Sequence, residues 1–333
     1  MTPPSDSEVI AWLASALNPQ EPYHLKIISS VRHPSSVSWA VGIGEGGVSK
    51  SIFIKHQKED LMYEREKKVL VHLRPYADEN ERYAVPHILA WNDQLRVIAL
   101  KWLEGEPVAR KLRAAVARLG NQDDLARGLS LVHEVGRWLH YFERRTSSGK
   151  QGTFPSDAIM RRISELNTFI QSKGLRGFDE AFAKTIENHV THNLGRINGN
   201  WEFSCLQRDF WFGHIWEKTN GIVVIDFGRC IEGPRGRDAA QFYLRLSDFA
   251  ILNPLVSGRK VGLLQAEFVR GYGSFDIHDP AIIAYMILAK LELLGGIVEQ
   301  KYAGLLARSV ARLHVRAHVR WLAQAVCSLG DCN

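Results

Sequence analysis

The pattern of apolar and polar positions changes character near residue 105. Before it, YHLKIISSVRH, SVSWAVGIG and SKSIFIKH carry alternating, often β-branched apolar residues between turn-forming clusters, which predicts β-strands. HILAWNDQLRVIALKWL predicts a hairpin that turns at Asn92 and Asp93. Two helices belong to this region. Ser5 and Glu8 form a capping box ahead of VIAWLASAL. EDLMYEREKKVLVHLRPY sets Leu61, Val69, Leu70 and Leu73 on an apolar face.

Beyond Gly105 the period becomes helical in PVARKLRAAVARL, LARGLSLVHEVGRWLHYFERR, SDAIMRRISELNTFIQ and FDEAFAKTIENHVTHNLGRI. FGHIWEK and GIVVIDFG, flanking a turn at Thr219 to Gly221, are the only strand-like interruption expected. Helical segments then resume in RDAAQFYLRLSDF, LLQAEFVRGY, PAIIAYMILAKLELLGGIVEQ and a long terminal stretch. The chain shows no internal repeat and no low-complexity tract. The expectation is an α+β protein with a sheet-rich lobe over residues 1–100 that carries one main helix, a junction at 101–106, and a mostly helical lobe over 107–333.

Composition narrows the class. With 333 residues, 45% of them hydrophobic, the chain can bury a sizeable core, so disorder is not the expectation. No run approaches 18 consecutive apolar residues, and MTPPSDSEVIAWLASALNPQ lacks a basic-then-apolar leader. A cytoplasmic protein without a membrane span is therefore expected. Cys205, Cys230, Cys327 and Cys332 show neither a disulfide framework nor paired zinc-site spacing and read as reduced, mostly buried thiols. A formal charge of +6 suits an anionic partner, without choosing among nucleotide, phosphorylated metabolite, nucleic acid and membrane surface.

Candidate chemistry concentrates in LQRDFWFGHIWEKTNGIVVIDFGR, residues 206–229. Asp226 ends a strand-like run, where a carboxylate can hold a hard cation such as Mg²⁺. Asp209 lies in a loop ahead of another strand, placed to orient or deprotonate an attacking hydroxyl. The two make a credible pair for phosphoryl transfer. Taken alone, an aspartate at a strand end is usually a turn or capping residue, and Lys55 with Glu66 reads as a surface pair. Gly42, Gly44 and Gly47 have GxGxxG spacing, but a strand follows instead of a helix, so a hairpin turn is expected there.

In their order along the chain, these motifs resemble the aminoglycoside phosphotransferase family, relatives of the protein kinases. DFWFGHI and VVIDFG resemble that family's catalytic and metal loops, IFIKH its third strand, REKKVLVHL the following helix, LKWLEGEPV the interlobe segment and GRDAAQF the segment after the metal loop. The resemblance covers nearly the whole chain and implies a two-lobed, protein-kinase-like fold. It also implies that Lys55, held by Glu66, binds the α and β phosphates of ATP or GTP. Backbone groups at Lys101 and Leu103 would meet the adenine, and Ser35 and Ser36 would lie in the phosphate-covering turn. Asp209 would accept the hydroxyl proton with Arg208 beside it, and Asp226 would hold Mg²⁺ or Mn²⁺. The acceptor implied is a small hydroxylated molecule such as a sugar, nucleoside, amino alcohol or antibiotic, bound by residues 107–200 and 237–330.

Two positions depart from the pattern. Gln207 stands where a histidine usually supports the catalytic loop, and His214 where an asparagine binds metal. An imidazole ligand favours Mn²⁺ or Zn²⁺ over Mg²⁺. The alternatives are a non-catalytic nucleotide-binding pseudokinase or scaffold, and a kinase acting on a macromolecule. Arg308, Arg312, Arg316 and Arg320 recur every fourth residue and read as a solvated helix face; a nucleic-acid partner is not expected.

Overall fold

The computed structural model describes residues 3–17, 24–44, 50–79, 82–147, 149–252, 255–300 and 305–329. In chain order these form α1 (Asp6–Leu17), β1 (Leu25–Arg32), β2 (Ser36–Ile43), β3 (Lys50–Gln57), α2 (Asp60–Glu79), β4 (Tyr83–Ala84), β5 (Ile88–Asn92), β6 (Val97–Lys101) and β7 (Glu106–Pro107). There follow α3 (Val108–Val116), α4 (Gln122–Arg145), β8 (Gln151–Thr153), α5 (Ser156–Ser172), α6 (Glu180–Gly195), β9 (Asn200–Leu206), β10 (Ile215–Lys218) and β11 (Gly221–Val224). The last elements are β12 (Ile231–Pro234), α7 (Arg237–Leu252), α8 (Gly258–Tyr272), α9 (Pro280–Glu299) and α10 (Leu305–Leu329).

The chain divides into two compact units: Met1–Val108 with Gln207–Ile231, and Ala109–Leu206 with Glu232–Asn333. Residues 207–231, expected in the second lobe, group with the first. The reason is pairing: β11 lies parallel to β4 and β10 antiparallel to β7, so the two aspartate-bearing loops belong to the first unit.

The first unit is built on an antiparallel sheet of order β1-β2-β3-β6-β5. Alternation along β3 decides what each face does. Ile52 and Ile54 join Val37, Trp39, Val41, Val97 and Ala99 in an apolar layer under Val9 and Leu13 of α1. Lys55 and Gln57 point the other way, to α2. The capping box of α1 is present, with the Ser5 amide donating to Glu8 Oε2 at 2.7 Å and the Glu8 amide to Ser5 Oγ at 3.3 Å. Asp6 Oδ1 also accepts the Trp39 indole N–H at 2.8 Å, tying α1 to β2. The expected hairpin is β5–β6, turning over residues 93–96 with Arg96 at φ 50°. Strands β2 and β3 pair antiparallel around the GxGxxG stretch; Gly47 lies outside the described residues.

Helices dominate the second unit. Helix α9 is long and apolar enough to cross a membrane by length and composition alone, but most of it is buried. It packs against α5, α6, α7 and α10 and carries a fully buried Lys290, whose Nζ donates to Asp248 at 2.8 Å, so it is a core helix of this unit. Helices α4 and α8 touch backbone to backbone because Gly136 and Gly271 meet there; a Cβ on Gly271 would lie 2.2 Å from the His133 carbonyl oxygen. A three-stranded sheet, β12-β9-β8, was not expected from the sequence. Cys205 is half-buried and Cys327 exposed, so the expectation of buried thiols holds for Cys230 alone among the described cysteines.

Candidate active site

Strand β3 and helix α2 bring the first pair together. Lys55 Nζ lies 3.0 Å from Glu66 Oε1, and both residues are buried. The same ammonium lies 2.8 Å from Asp226 Oδ1, so the residue predicted for phosphate binding and the one predicted for metal binding meet directly. Glu66 is held on its second oxygen by Gln57 Nε2 at 2.6 Å. Gln57 was missed by the sequence reading, although its place two residues after Lys55 on the same strand face is the signal that could have found it.

Charge follows this geometry. Burial works against the Lys55 ammonium, but Glu66 and Asp226 outweigh it and hold its pKa above the ordinary lysine value. Burial would likewise raise the Asp226 carboxyl. The Lys55 charge and hydrogen bond prevail, aided by the His214 ring and the Gly228 amide, and hold it below the usual carboxylate range.

The loop between β9 and β10 is braced by Gln207. This residue is fully buried. Its Nε2 donates to the carbonyl oxygens of Ile225 at 3.2 Å and Asp226 at 2.7 Å, while its Oε1 accepts the Asp209 amide at 2.8 Å. One side chain thus crosslinks the two aspartate-bearing loops, using both functions of its amide. Arg208 and Asp226 both sit at φ 64°, a left-handed backbone that costs non-glycine residues about 1 kcal/mol or more each. The hydrogen bonds of Gln207, which precedes one and binds the carbonyl of the other, help hold both turns.

His214 lies between the aspartates. Its Nδ1 is 3.0 Å from the backbone carbonyl oxygen of Asp209, and that oxygen can only accept. Nδ1 therefore carries the proton in the neutral ring, and Nε2 keeps its lone pair. Nε2 is 3.7 Å from Asp226 Oδ2. The edge-on ring of Trp211, 5.4 Å away centre to centre, packs against the imidazole. This is the second-sphere arrangement that orients metal-ligating histidines.

The remaining candidates lie at the edges of the first sheet. Ser35 is in the β1–β2 turn, and Ser36 opens β2. That turn is fixed by Lys58, whose Nζ donates to the carbonyls of His33 and Pro34 at 2.8 Å each and whose amide donates to that of Ser35. Lys101 ends β6, and its amide is already given to the carbonyl of His87 at 2.9 Å. That N–H is thus engaged within the first unit. Leu103 lies in the segment between β6 and β7.

With this geometry in place, the fold can be classed. It is a protein-kinase-like fold, α+β in composition. Among solved structures the chain resembles choline kinase from Cryptosporidium parvum Iowa II at 11% identity, covering 97% of this chain and 96% of that one with a TM-score of 0.60. It resembles the amicoumacin kinase hAmiN, in complex with AMP-PNP, Ca²⁺ and Ami, at 11% identity over 95% and 94% of the two chains, with a TM-score of 0.59. It also resembles the ADP-bound aminoglycoside phosphotransferase APH(2'')-Ib at 14% identity over 95% and 99%, with a TM-score of 0.55. No protein-family model and no curated protein matches the sequence.

Proposed function

We propose that this protein is an ATP-dependent phosphotransferase that moves the γ-phosphoryl group to a hydroxyl of a small molecule. The observation that carries the reading is the convergence of Lys55, Glu66 and Asp226 within 3.0 Å contacts, crosslinked through Gln207 to Asp209, on a kinase-like fold. Lys55, oriented by Glu66, holds the α and β phosphates of the nucleotide. Asp209, fixed by its amide, takes the proton of the acceptor hydroxyl as the new O–P bond forms and the bond from the γ-phosphorus to the β–γ bridging oxygen breaks, releasing ADP. Arg208, its neighbour in sequence, meets charge on the transferred group.

The donor set tests whether a cation fits. Asp226 and His214 offer a carboxylate and an imidazole nitrogen 3.7 Å apart. Among the described residues, no group of three or more His, Cys, Asp and Glu side chains could hold an ion. That set suits a cation shared with nucleotide phosphates instead of a closed protein cage. A divalent cation there would supply positive charge to the nucleotide phosphates. Asp226 and His214 would hold it, and the nitrogen ligand favours Mn²⁺ relative to Mg²⁺.

Support for ATP comes from the amicoumacin kinase and aminoglycoside phosphotransferase structures, which contain AMP-PNP and ADP, and support for a small acceptor from the names of these two neighbours and of the choline kinase. The formal charge of +6 favours an acceptor other than a polycation. The test is ATP binding and turnover with Mg²⁺ and with Mn²⁺ against pooled hydroxylated metabolites, on the wild type and Asp209→Asn. One pool should yield a phosphorylated product, and Asp209→Asn should lower transfer by about 10²-fold or more without weakening ATP binding. Binding without transfer in any pool would favour the nucleotide-binding scaffold. Failure to bind ATP with either metal would overturn the assignment.

A further inference from the structure

The arginine stripe expected to be a solvated face has a specific setting. The Arg308 side chain lies outside the described residues, and Arg312, Arg316 and Arg320 on α10 are exposed. Two of them line a cavity of about 400 Å³ in the second unit, with Arg176, Gln300, Ile297, Val298, Ala311 and Val315. Arg176 comes from the turn between α5 and α6, where Gly177 approaches Val319 of α10. Ile297 and Val298 belong to the last turn of α9, and Gln300 caps it. The cavity thus draws on three separate parts of the fold.

Three guanidinium groups at one cavity repel one another unless something neutralises them. Elsewhere in this unit arginines meet carboxylates: Arg235 with Glu202, Arg237 with Glu292 and Arg245 with Asp248. Among the described residues, Arg176, Arg312 and Arg316 have no such partner. Guanidinium groups bind phosphate oxygens in bidentate fashion. The Gln300 amide adds a donor, whereas Ile297, Val298 and Val315 offer a wall with no polar function. The volume is within the range of small-molecule sites.

We propose that this cavity binds a phosphate ester with an apolar substituent, its phosphate held by Arg176, Arg312 and Arg316 and its substituent against Ile297, Val298 and Val315. The site shares no residue with the Lys55–Asp226 cluster and stands independently of the catalytic reading. Such an ester is either a soluble metabolite or the exposed headgroup of an acidic lipid.

Calorimetric titration of the full chain with phenyl phosphate tests the soluble case, and flotation with phosphatidylcholine vesicles, with and without phosphatidic acid, tests the lipid case. Arg312→Ala and Arg316→Ala, both at exposed positions, are compared with the wild type. Lys55→Ala, first shown by circular dichroism to be folded at the titration temperature, serves as the control for binding at the nucleotide site. Saturable binding of phenyl phosphate is expected, about tenfold weaker in each arginine variant and unchanged in Lys55→Ala. Flotation that depends on phosphatidic acid and is lost in both arginine variants, without phenyl phosphate binding, would assign the site to the lipid headgroup. Binding that survives both arginine substitutions, that vanishes in Lys55→Ala alone, or that is absent with both probes would overturn the proposal.

Discussion

Gln207 Nε2 lies 2.7 Å from the backbone carbonyl oxygen of Asp226, and through this bond the loop that carries Asp209 is fastened to the loop that carries Asp226. Gln207→Ala removes a fully buried crosslink and leaves two carbonyls and the Asp209 amide without their partner. Each such group costs about 1–3 kcal/mol if no water replaces the bond. The variant should unfold at lower denaturant concentration and, on the proposed function, lose about a hundredfold in kcat with ATP affinity nearly unchanged. Gln207→His, which retains a donor and an acceptor, should recover most of both. Equal loss in Gln207→His would show that the site needs the amide itself.

The Lys55–Glu66 pair makes a different prediction, because both groups are buried and charged. Lys55→Met leaves the buried Glu66 with the Gln57 amide as its one side-chain partner among the described residues and should destabilise the fold by about 3–5 kcal/mol. Adding Glu66→Leu removes the stranded charge, so the double variant should be more stable than Lys55→Met alone. A double-mutant cycle by urea unfolding measures this coupling. The pH dependence follows from the raised Lys55 pKa. Its contribution is fully present below the unfolded value of about 10.5 and is lost as pH climbs through the higher folded value, so wild type should lose more stability than Lys55→Met in strong base.

What the sequence made legible depends on where each signal resides. The α1 cap is local, Ser5 to Glu8, and was read directly. Lys55, Glu66, Asp209 and Asp226 stand out as candidates only from the order of short motifs; no single stretch distinguishes Lys55 and Glu66 from a surface pair. The β12-β9-β8 sheet was not legible because β8 has only three residues, too few to show a period, and 46 residues separate it from its partner β9. The grouping of residues 207–231 with the first unit was hidden for a related reason. It depends on a two-residue parallel pairing of β11 with β4, far away in sequence. Gln207 was read as a lost histidine, because a brace is visible only when the carbonyls of Ile225 and Asp226 are seen beside it.

A second pH effect arises in the second unit. Glu143 on α4 is fully buried, accepts the Tyr272 hydroxyl and the Gly236 amide, and has Arg235 Nε 3.6 Å away. Burial, with Asp238 adding to it, outweighs those partners and pushes its carboxyl from the ordinary 4.5 up to about 7. The folded protein therefore holds a proton that the unfolded chain releases. This contribution is complete below pH 4.5 and declines as pH rises towards 7. Glu143→Gln keeps one acceptor oxygen for the Gly236 amide, with its NH₂ able to donate to the Tyr272 oxygen, and does not titrate. Its stability relative to wild type should improve from pH 4.5 to pH 8, by up to about 3 kcal/mol. Urea unfolding of both proteins at several pH values checks the slope, and an identical profile for the two would remove Glu143 as its source.

His214 gives the sharpest test of the proposed cation site. Its Nδ1 proton is committed to the Asp209 carbonyl and its Nε2 faces Asp226, so the ring is oriented before any cation arrives. With Mn²⁺ and AMP-PNP, pulsed electron paramagnetic resonance should detect a directly bonded ¹⁴N nucleus in the wild type. The coupling should vanish in His214→Asn, which supplies an amide oxygen in place of the imidazole. Mg²⁺ affinity relative to Mn²⁺ should rise by about tenfold in the same variant, because a hard oxygen ligand suits Mg²⁺ better than nitrogen does. If the wild-type spectrum shows no nitrogen coupling while Asp226→Asn still abolishes Mn²⁺ binding, the cation rests on Asp226 and phosphate oxygens, and His214 acts through the Asp209 backbone instead.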